Sequence, residues 1–374
     1  MTATRPRIST ASGNAPKTRA IPKSRKRQRW LGVVVVLVLG ALVVAVRFTL
    51  EPLEPLPSSS PAQEFSAQRA LAHVDQVAQR PHPVGSSANA EVRAYLVDEL
   101  KELGLSPTVQ RATTARTFAE ETVMARVRNI HARLEGTAPT GHVILVAHHD
   151  SVPNSLGASD DGAGVAAILE IVRALKSDPA LRNDVDIVLT DAEEPGLIGA
   201  RAFVDARTLN PRRSVVLNFE ARGTSGPALM FETNPDNAQV VPALASAQRP
   251  IAGSESAELY RLAPNDTDFT LFSRAGFAGM NFAFMAGSAH YHTPGDSPAN
   301  LDPSSLQHIG GTVLDAARYL GAQDLGAPRG GPLTYFTVLG QLVYYPQGSA
   351  VPLAVLTAVV LASTVGYARR EVCG

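Results

Sequence analysis

Apolar residues along this chain fall into three rhythms. Residues 31–46 are an unbroken apolar run and residues 351–368 a second apolar run. Between them, short apolar blocks alternate with stretches in which apolar residues recur every three or four positions. The clearest helical period starts at Asn89, where Val92, Tyr95, Leu96, Leu100 and Leu103 share one face and Gly104 ends the pattern. Similar reasoning predicts helices over 66–79, 160–176, 196–205, 237–247, 266–274 and 303–319. Strands are predicted over 123–134, 142–147, 185–190, 215–219, 228–233 and 280–285. Short strands alternating with helices imply an α/β fold, a three-layer αβα sandwich around a mostly parallel, mixed central sheet.

The two long runs change the picture from a globular domain to a tethered one. Residues 31–46, with Trp30 and Phe48 at the ends and Arg47 able to snorkel, reach the length of a bilayer span. A cleavable signal peptide is the competing reading. The long basic stretch before the run, and the lack of a small-x-small site after it, favour an uncleaved anchor. Residues 1–29 carry nine Lys and Arg and no acid, the composition of a disordered cytoplasmic tail. That bias sends everything after Leu50 to the opposite side. The second run ends in Arg369 and Arg370, which agrees with a return to the basic face.

The expected organisation is a tail at 1–29, an anchor at 30–50, a Pro/Ser linker at 51–63, the α/β domain at 64–325, a linker or interfacial segment at 326–350, a second span at 351–368 and a cytoplasmic end at 369–374. Lys plus Arg balance Asp plus Glu at 34 each, so nothing in the charge points to nucleic acid. The single cysteine, Cys373, allows no intrachain disulfide, leaving the domain to its core and to any metal it binds.

In an open α/β sheet, the site sits at the carboxyl ends of the strands. Here the strand at 142–147 runs into His148, His149 and Asp150. The strand at 185–190 leads to Asp191, Glu193 and Glu194, that at 215–219 to Glu220, and that at 280–285 to His290, Tyr291 and His292. Two adjacent carboxylates, Asp160 and Asp161, stand among small residues before the helix at 160–176. One can serve as an N-cap, but a buried like-charged pair calls for a cation. Imidazoles with carboxylates and no thiolate suit a catalytic zinc site. Five such ligands around a bridging aspartate suit a pair of metals about 3.5–4 Å apart. Of Glu193 and Glu194, one then binds metal while the other takes a proton from water.

The set His148-x-Asp150, Ser159-Asp160-Asp161-Gly162, Glu193-Glu194, Asn218-Phe219-Glu220 and Tyr291-His292-Thr293 resembles the M28 family of zinc metallopeptidases, and most of all its membrane-anchored branch. The resemblance runs over roughly residues 65–345. It implies two zinc ions per chain bridged by Asp160, with His148 and Glu220 completing one and Glu194 and His292 the other. Glu193 is then the general base, Asp150 orients the His148 imidazole, and Tyr291 donates to the oxyanion. The substrates are peptides, met on the extracytoplasmic side of a lipid bilayer, and an aminopeptidase is expected.

A carboxypeptidase of the same fold, a single-zinc glutaminyl cyclase and an inert receptor-like module are the alternatives. His149 competes with His148 as ligand, though only His148 has the spacing to Asp150. His290 is a substrate contact or a solvated loop residue, Asp266 and Asp268 are caps or partners of the ligands, and His73 and His82 are structural. The glycines and alanines of 157–164 are expected to leave room for the metals.

Overall fold

The computed structural model describes residues 23–118, 121–263 and 265–373, and divides into units of residues 1–47 and 48–374. Most of the basic tail, residues 1–22, lies outside the described residues. Helix α1 (Lys23–Thr49) begins inside the stretch expected to be disordered, because Lys, Arg and Gln before the apolar run are good helix formers. Its segment Trp30–Thr49 has a mean hydropathy of 2.8 and is long and apolar enough to cross a membrane.

The second unit contains the predicted sandwich. Two helices open it, α2 (Ala67–Val77) and α3 (Ser87–Glu102), each capped by a serine oxygen that accepts the third backbone N–H beyond it. A long hairpin follows, β1 (Thr108–Phe118) paired antiparallel with β2 (Glu121–Leu134). The first of these strands was not anticipated. It is a half-exposed edge strand of Thr, Arg, Gln and Ala, so it carries no apolar alternation to read.

From there the chain alternates through β3 (His142–His148), α4 (Gly162–Lys176), β4 (Asp184–Thr190), α5 (Ile198–Asp205), β5 (Ser214–Ala221), β6 (Leu229–Thr233), α6 (Val241–Ala245), α7 (Ser254–Leu262), α8 (Asp268–Arg274), β7 (Ala278–Phe284) and α9 (Pro303–Ala322). The seven strands lie in the order β1-β2-β4-β3-β5-β7-β6. The four central ones run parallel, and β2 and β6 are antiparallel to their neighbours.

Both faces of the parallel strands are covered. Val143 and Leu145 of β3 face the core under α2, α4 and α9, whereas Ile144 and Val146 face the core under α5 and α8. That is why these strands read as continuous apolar blocks. Several ends differ from the predicted ones by a turn. Helix α4 starts at Gly162, not at 160, since Asp161 is its cap. Helix α5 starts at Ile198 after a turn in which Leu197 is left-handed. Helix α6 is only Val241–Ala245, and α7 was not anticipated, its exposed Leu259 and Leu262 blurring the period.

Residues 333–346, expected as linker or interfacial chain, form a hairpin, β8 (Leu333–Val338) with β9 (Gln341–Pro346). It docks through Tyr335, which is 1% exposed, and through Thr337, whose N–H donates to Ala252 O at 3.0 Å. Helix α10 (Ala350–Cys373) follows, and the overlapping segment Gln347–Arg370, of mean hydropathy 1.9, is also long and apolar enough to cross a membrane.

Candidate metal centre

Parallel register brings the chemistry together. His148 closes β3 opposite Thr190 of β4, and Glu220, near the end of β5, lies opposite Ala283 of β7. The loop after β7 carries His292, held at φ +58°, back over these ends. Two clusters result. Ligand atoms of His148, Asp160 and Glu220 lie within 4.8 Å of one another, and so do those of Asp160, Glu194 and His292. Asp160 belongs to both. Its Oδ1 is 3.3 Å from His148 Nε2, its Oδ2 is 3.1 Å from His292 Nε2, and His292 Nε2 is 3.0 Å from Glu194 Oε2.

The residues behind these side chains fix where they point. His148 Nδ1 is 2.9 Å from Asp150 O and 3.6 Å from its carboxylate, which leaves Nε2 for Asp160. Asp150, fully buried, also accepts the Glu193 N–H at 3.0 Å and the Glu194 N–H at 3.3 Å. One carboxylate thereby positions the His148 imidazole and the backbone of both glutamates. Asp161 turns away from Asp160. It accepts the Gly164 N–H as the cap of α4, and the His148 N–H, both at 3.2 Å. The two aspartates divide the work, Asp161 being the one of the pair that serves as N-cap. The peptide bond between them is cis. Nor do the small residues simply leave space for metal. A Cβ on Gly164 would fall 2.3 Å from Asp161 Oδ1 and 2.6 Å from Phe219 Cβ, so glycine is needed for close approach of helix, cap and β5.

Charge in the centre is lopsided. Burial pushes the carboxyls of Glu193, Glu220 and Asp161 well above their ordinary range, with neighbouring carboxylates adding to the effect. Burial and the Asp160 charge push Glu194 up to about 7. Burial disfavours the charged imidazoles, yet hydrogen bonds to Asp150 and Asp160 hold His148 above its usual value. Those to Asp160 and Glu194 bring His292 to about 9. Two imidazoles cannot balance this many buried carboxylates, and Glu194 Oε1 is buried with no hydrogen-bond partner. An oxygen and nitrogen donor set, short of positive charge and with one donor atom unused, fits divalent metal.

Tyr291 stacks on His292, with ring centroids 3.8 Å apart and planes at 18°, and the Arg222 guanidinium lies 4.8 Å from its ring. Burial and the Asp160 charge push its hydroxyl pKa up, so it stays a donor. The structure separates the remaining histidines from the centre. The His149 nitrogens meet Asn89 Nδ2 and Arg128 O, His82 Nδ1 meets Arg80 O, and His290 Nδ1 meets Thr224 Oγ1. His73 pairs with Tyr95. Asp266 lies outside, bound by Arg116 and Arg274. Asp268 is buried below the centre, accepts from Thr190 Oγ1, and is pushed by burial to about 6.

Two supports carried no role in the sequence reading, Asp296, which it did not name, and Asn218, which it named only within a motif. Asp296 accepts the N–H groups of Ser159 at 2.7 Å and Asp160 at 3.2 Å, and the Ser155 hydroxyl at 3.4 Å. Asn218 Nδ2 donates to Glu220 Oε1 at 3.2 Å and to Asn281 Oδ1 at 3.0 Å. An aspartate after Pro294-Gly295 reads as an ordinary turn residue, so only its burial distinguishes Asp296.

Comparison with known proteins gives the family and the fold. The family model described as "Peptidase family M28" matches residues 129–317. Endoplasmic reticulum metallopeptidase 1 of Rattus norvegicus is 30% identical over 90% of this chain and 42% of its own length. The vacuolar membrane protease of Candida albicans is 28% identical over 88% of this chain and 38% of its own. The chain thus spans about two fifths of the length of the curated relatives it matches. A zinc aminopeptidase of Bacillus subtilis shares the fold with a TM-score of 0.55 at 18% identity, covering 73% of this chain and 99% of that one. The glutaminyl cyclase of Porphyromonas gingivalis shares it with a TM-score of 0.54 at 23% identity, covering 67% and 97%.

Proposed function

This chain belongs to peptidase family M28, and from that premise we propose that it is a membrane-anchored dizinc peptidase that removes residues from the N-termini of peptides. The observation that carries the two-metal reading is the sharing of Asp160 between two complete ligand clusters. His148, Asp160 and Glu220 would hold one zinc ion and Asp160, Glu194 and His292 the other, and bound zinc would supply Lewis-acid polarisation of the scissile carbonyl and a lowered pKa of water, towards about 7.

The protein's own groups do the rest. Glu193, beside the clusters but in neither, takes a proton from the attacking water on its carboxylate and returns it to the leaving amine. Asp150 keeps Glu193 and Glu194 in register with His148 through its bonds to all three. The Tyr291 hydroxyl donates to the oxygen on which charge develops. The solved zinc aminopeptidase that shares this fold is what favours an aminopeptidase over a carboxypeptidase. Helices α1 and α10 anchor the domain. The basic residues before the first apolar run and Arg369–Arg370 after the second support a domain on the side opposite the tail.

The test is zinc content together with cleavage of aminoacyl arylamides and N-blocked peptides by the purified full chain in detergent. We expect two zinc ions per chain and turnover that needs a free N-terminus. One zinc per chain with formation of pyroglutamate replaces the reading with a cyclase. Two zinc ions without hydrolysis of any peptide remove the peptidase assignment. Protection of the domain from added protease in sealed vesicles tests its sidedness.

A further inference from the structure

Hairpin β8–β9 shows a face whose apolar side chains stay exposed among the described residues. Strand pairing sets Phe336 opposite Val343 and Val338 opposite Gln341, on the side away from the buried Tyr335. Phe336, Val338, Val343 and the tip residue Leu339 are between 36% and 46% exposed. The whole stretch Leu333–Pro346 contains no charged residue and has three tyrosines and a phenylalanine. Scattered surface leucines are unremarkable, but a contiguous uncharged patch on a folded hairpin is not.

The tip adds a second anomaly. Leu339 and Gly340 form a two-residue turn with φ of +49° and +76°. Such turns favour Asn-Gly, because a branched apolar side chain is strained at positive φ. Leucine here is costly to the fold and is exposed to solvent, so the local structure does not explain it.

Position along the chain identifies the occupant. Pro346 ends β9, a three-residue turn Gln347–Ser349 follows, and Ala350 begins α10. Three residues reach about 10 Å at most, so the root of the hairpin stays at the boundary where the apolar segment Gln347–Arg370 leaves the membrane. Tyrosines and apolar side chains without charge are the composition of the bilayer interface. We propose that the β8–β9 hairpin lies on the bilayer and inserts Leu339 with Phe336, Val338 and Val343 into the headgroup region. The catalytic domain would then be held at the membrane by a second contact besides its helices. The proposal rests on the reading of α10 as a membrane span.

The test uses the full chain with Cys373→Ser, reconstituted into phosphatidylcholine vesicles. Single cysteines replace Val338, Leu339, Val359 of α10 and the exposed Asp98 of α3, each labelled with an environment-sensitive fluorophore. At 338 and 339 we expect blue-shifted emission, quenching by lipids bearing a shallow nitroxide, and loss of iodide quenching relative to position 98. Position 359 should be quenched by a deep nitroxide. If 359 is quenched by lipid while 338 and 339 stay open to iodide and untouched by nitroxide lipid, the hairpin proposal is wrong and the span stands. If 359 is itself open to iodide, the span reading fails and the proposal with it. Shielding of 338 and 339 from both quenchers means a protein surface covers the hairpin, which also overturns the proposal.

Discussion

Replacing Glu193 by Gln separates its role as base from any role as ligand. The backbone around this residue is pinned without help from the side chain. Its N–H donates to Asp150 Oδ1 at 3.0 Å, and its carbonyl accepts from Gly196 at 2.8 Å and Leu197 at 2.7 Å. Gln therefore occupies the same place and loses only the ability to take a proton. A positioned general base contributes roughly 10²–10⁴ in rate, so kcat/KM should fall by about 3–5 kcal/mol of transition-state stabilisation. Zinc content should stay at the native level, because the atoms of both clusters are untouched. Glu193→Asp keeps the carboxylate but withdraws it by one methylene, and a displacement of about 1 Å costs on the order of 10². Removing a buried charge that faces Glu220, Asp268 and Glu194 should leave the metal-free fold as stable or more so, opposite in sign to the loss of activity. The assays are arylamide kinetics, metal analysis and urea unfolding after chelation. A Gln variant with full zinc that keeps more than a tenth of native kcat/KM refutes the base assignment. One that loses zinc makes Glu193 a ligand instead.

Asp160→Asn weakens both clusters at once, so zinc should fall below one per chain by metal analysis; retention of both ions would show that the carboxylate is not shared. Asp296→Asn puts an amide where two backbone N–H groups need an acceptor. Bonds to charged acceptors are worth about 1.5–3 kcal/mol each, so we expect about 2–4 kcal/mol less stability by urea unfolding together with weaker zinc retention; a loss confined to stability would limit Asp296 to the fold. His308 is buried, accepts the Ala228 N–H on Nδ1 and donates from Nε2 to Arg249 O; burial lowers its pKa to about 4 from 6.5. The unfolded chain binds this proton first, so stability is full above pH 6.5 and declines as pH falls towards 4. The decline amounts to about 3 kcal/mol at 1.36 kcal/mol per unit. Subtracting the stability–pH curve of His308→Gln should remove this slope, and identical slopes would refute it.

The sheet strands that carry ligands were legible because both of their faces are buried and each ends in ionisable residues. Strand β1 was not, since an edge strand of mixed polarity has no alternation to betray it. Hairpin β8–β9 was read as interfacial chain: its composition was visible, but its pairing depends on Tyr335 and Thr337 docking beside β6 and α7. Asp296 escaped because its acceptors meet Ser159 and Asp160 only after more than a hundred residues of chain have folded between them.

Sequence alone determined the αβα class, the two apolar helices, and which imidazoles and carboxylates leave the strand ends. These follow from local period, run length and residue chemistry, which act over a few positions. Only the tertiary structure shows that Asp161 is the aspartate that caps α4, that Asp150 also accepts the N–H groups of Glu193 and Glu194, and that Asp296 accepts those of Ser159 and Asp160. Those distinctions rest on angstrom-scale direction, and direction is set by strand register and by buried carboxylates finding backbone N–H groups from distant parts of the chain.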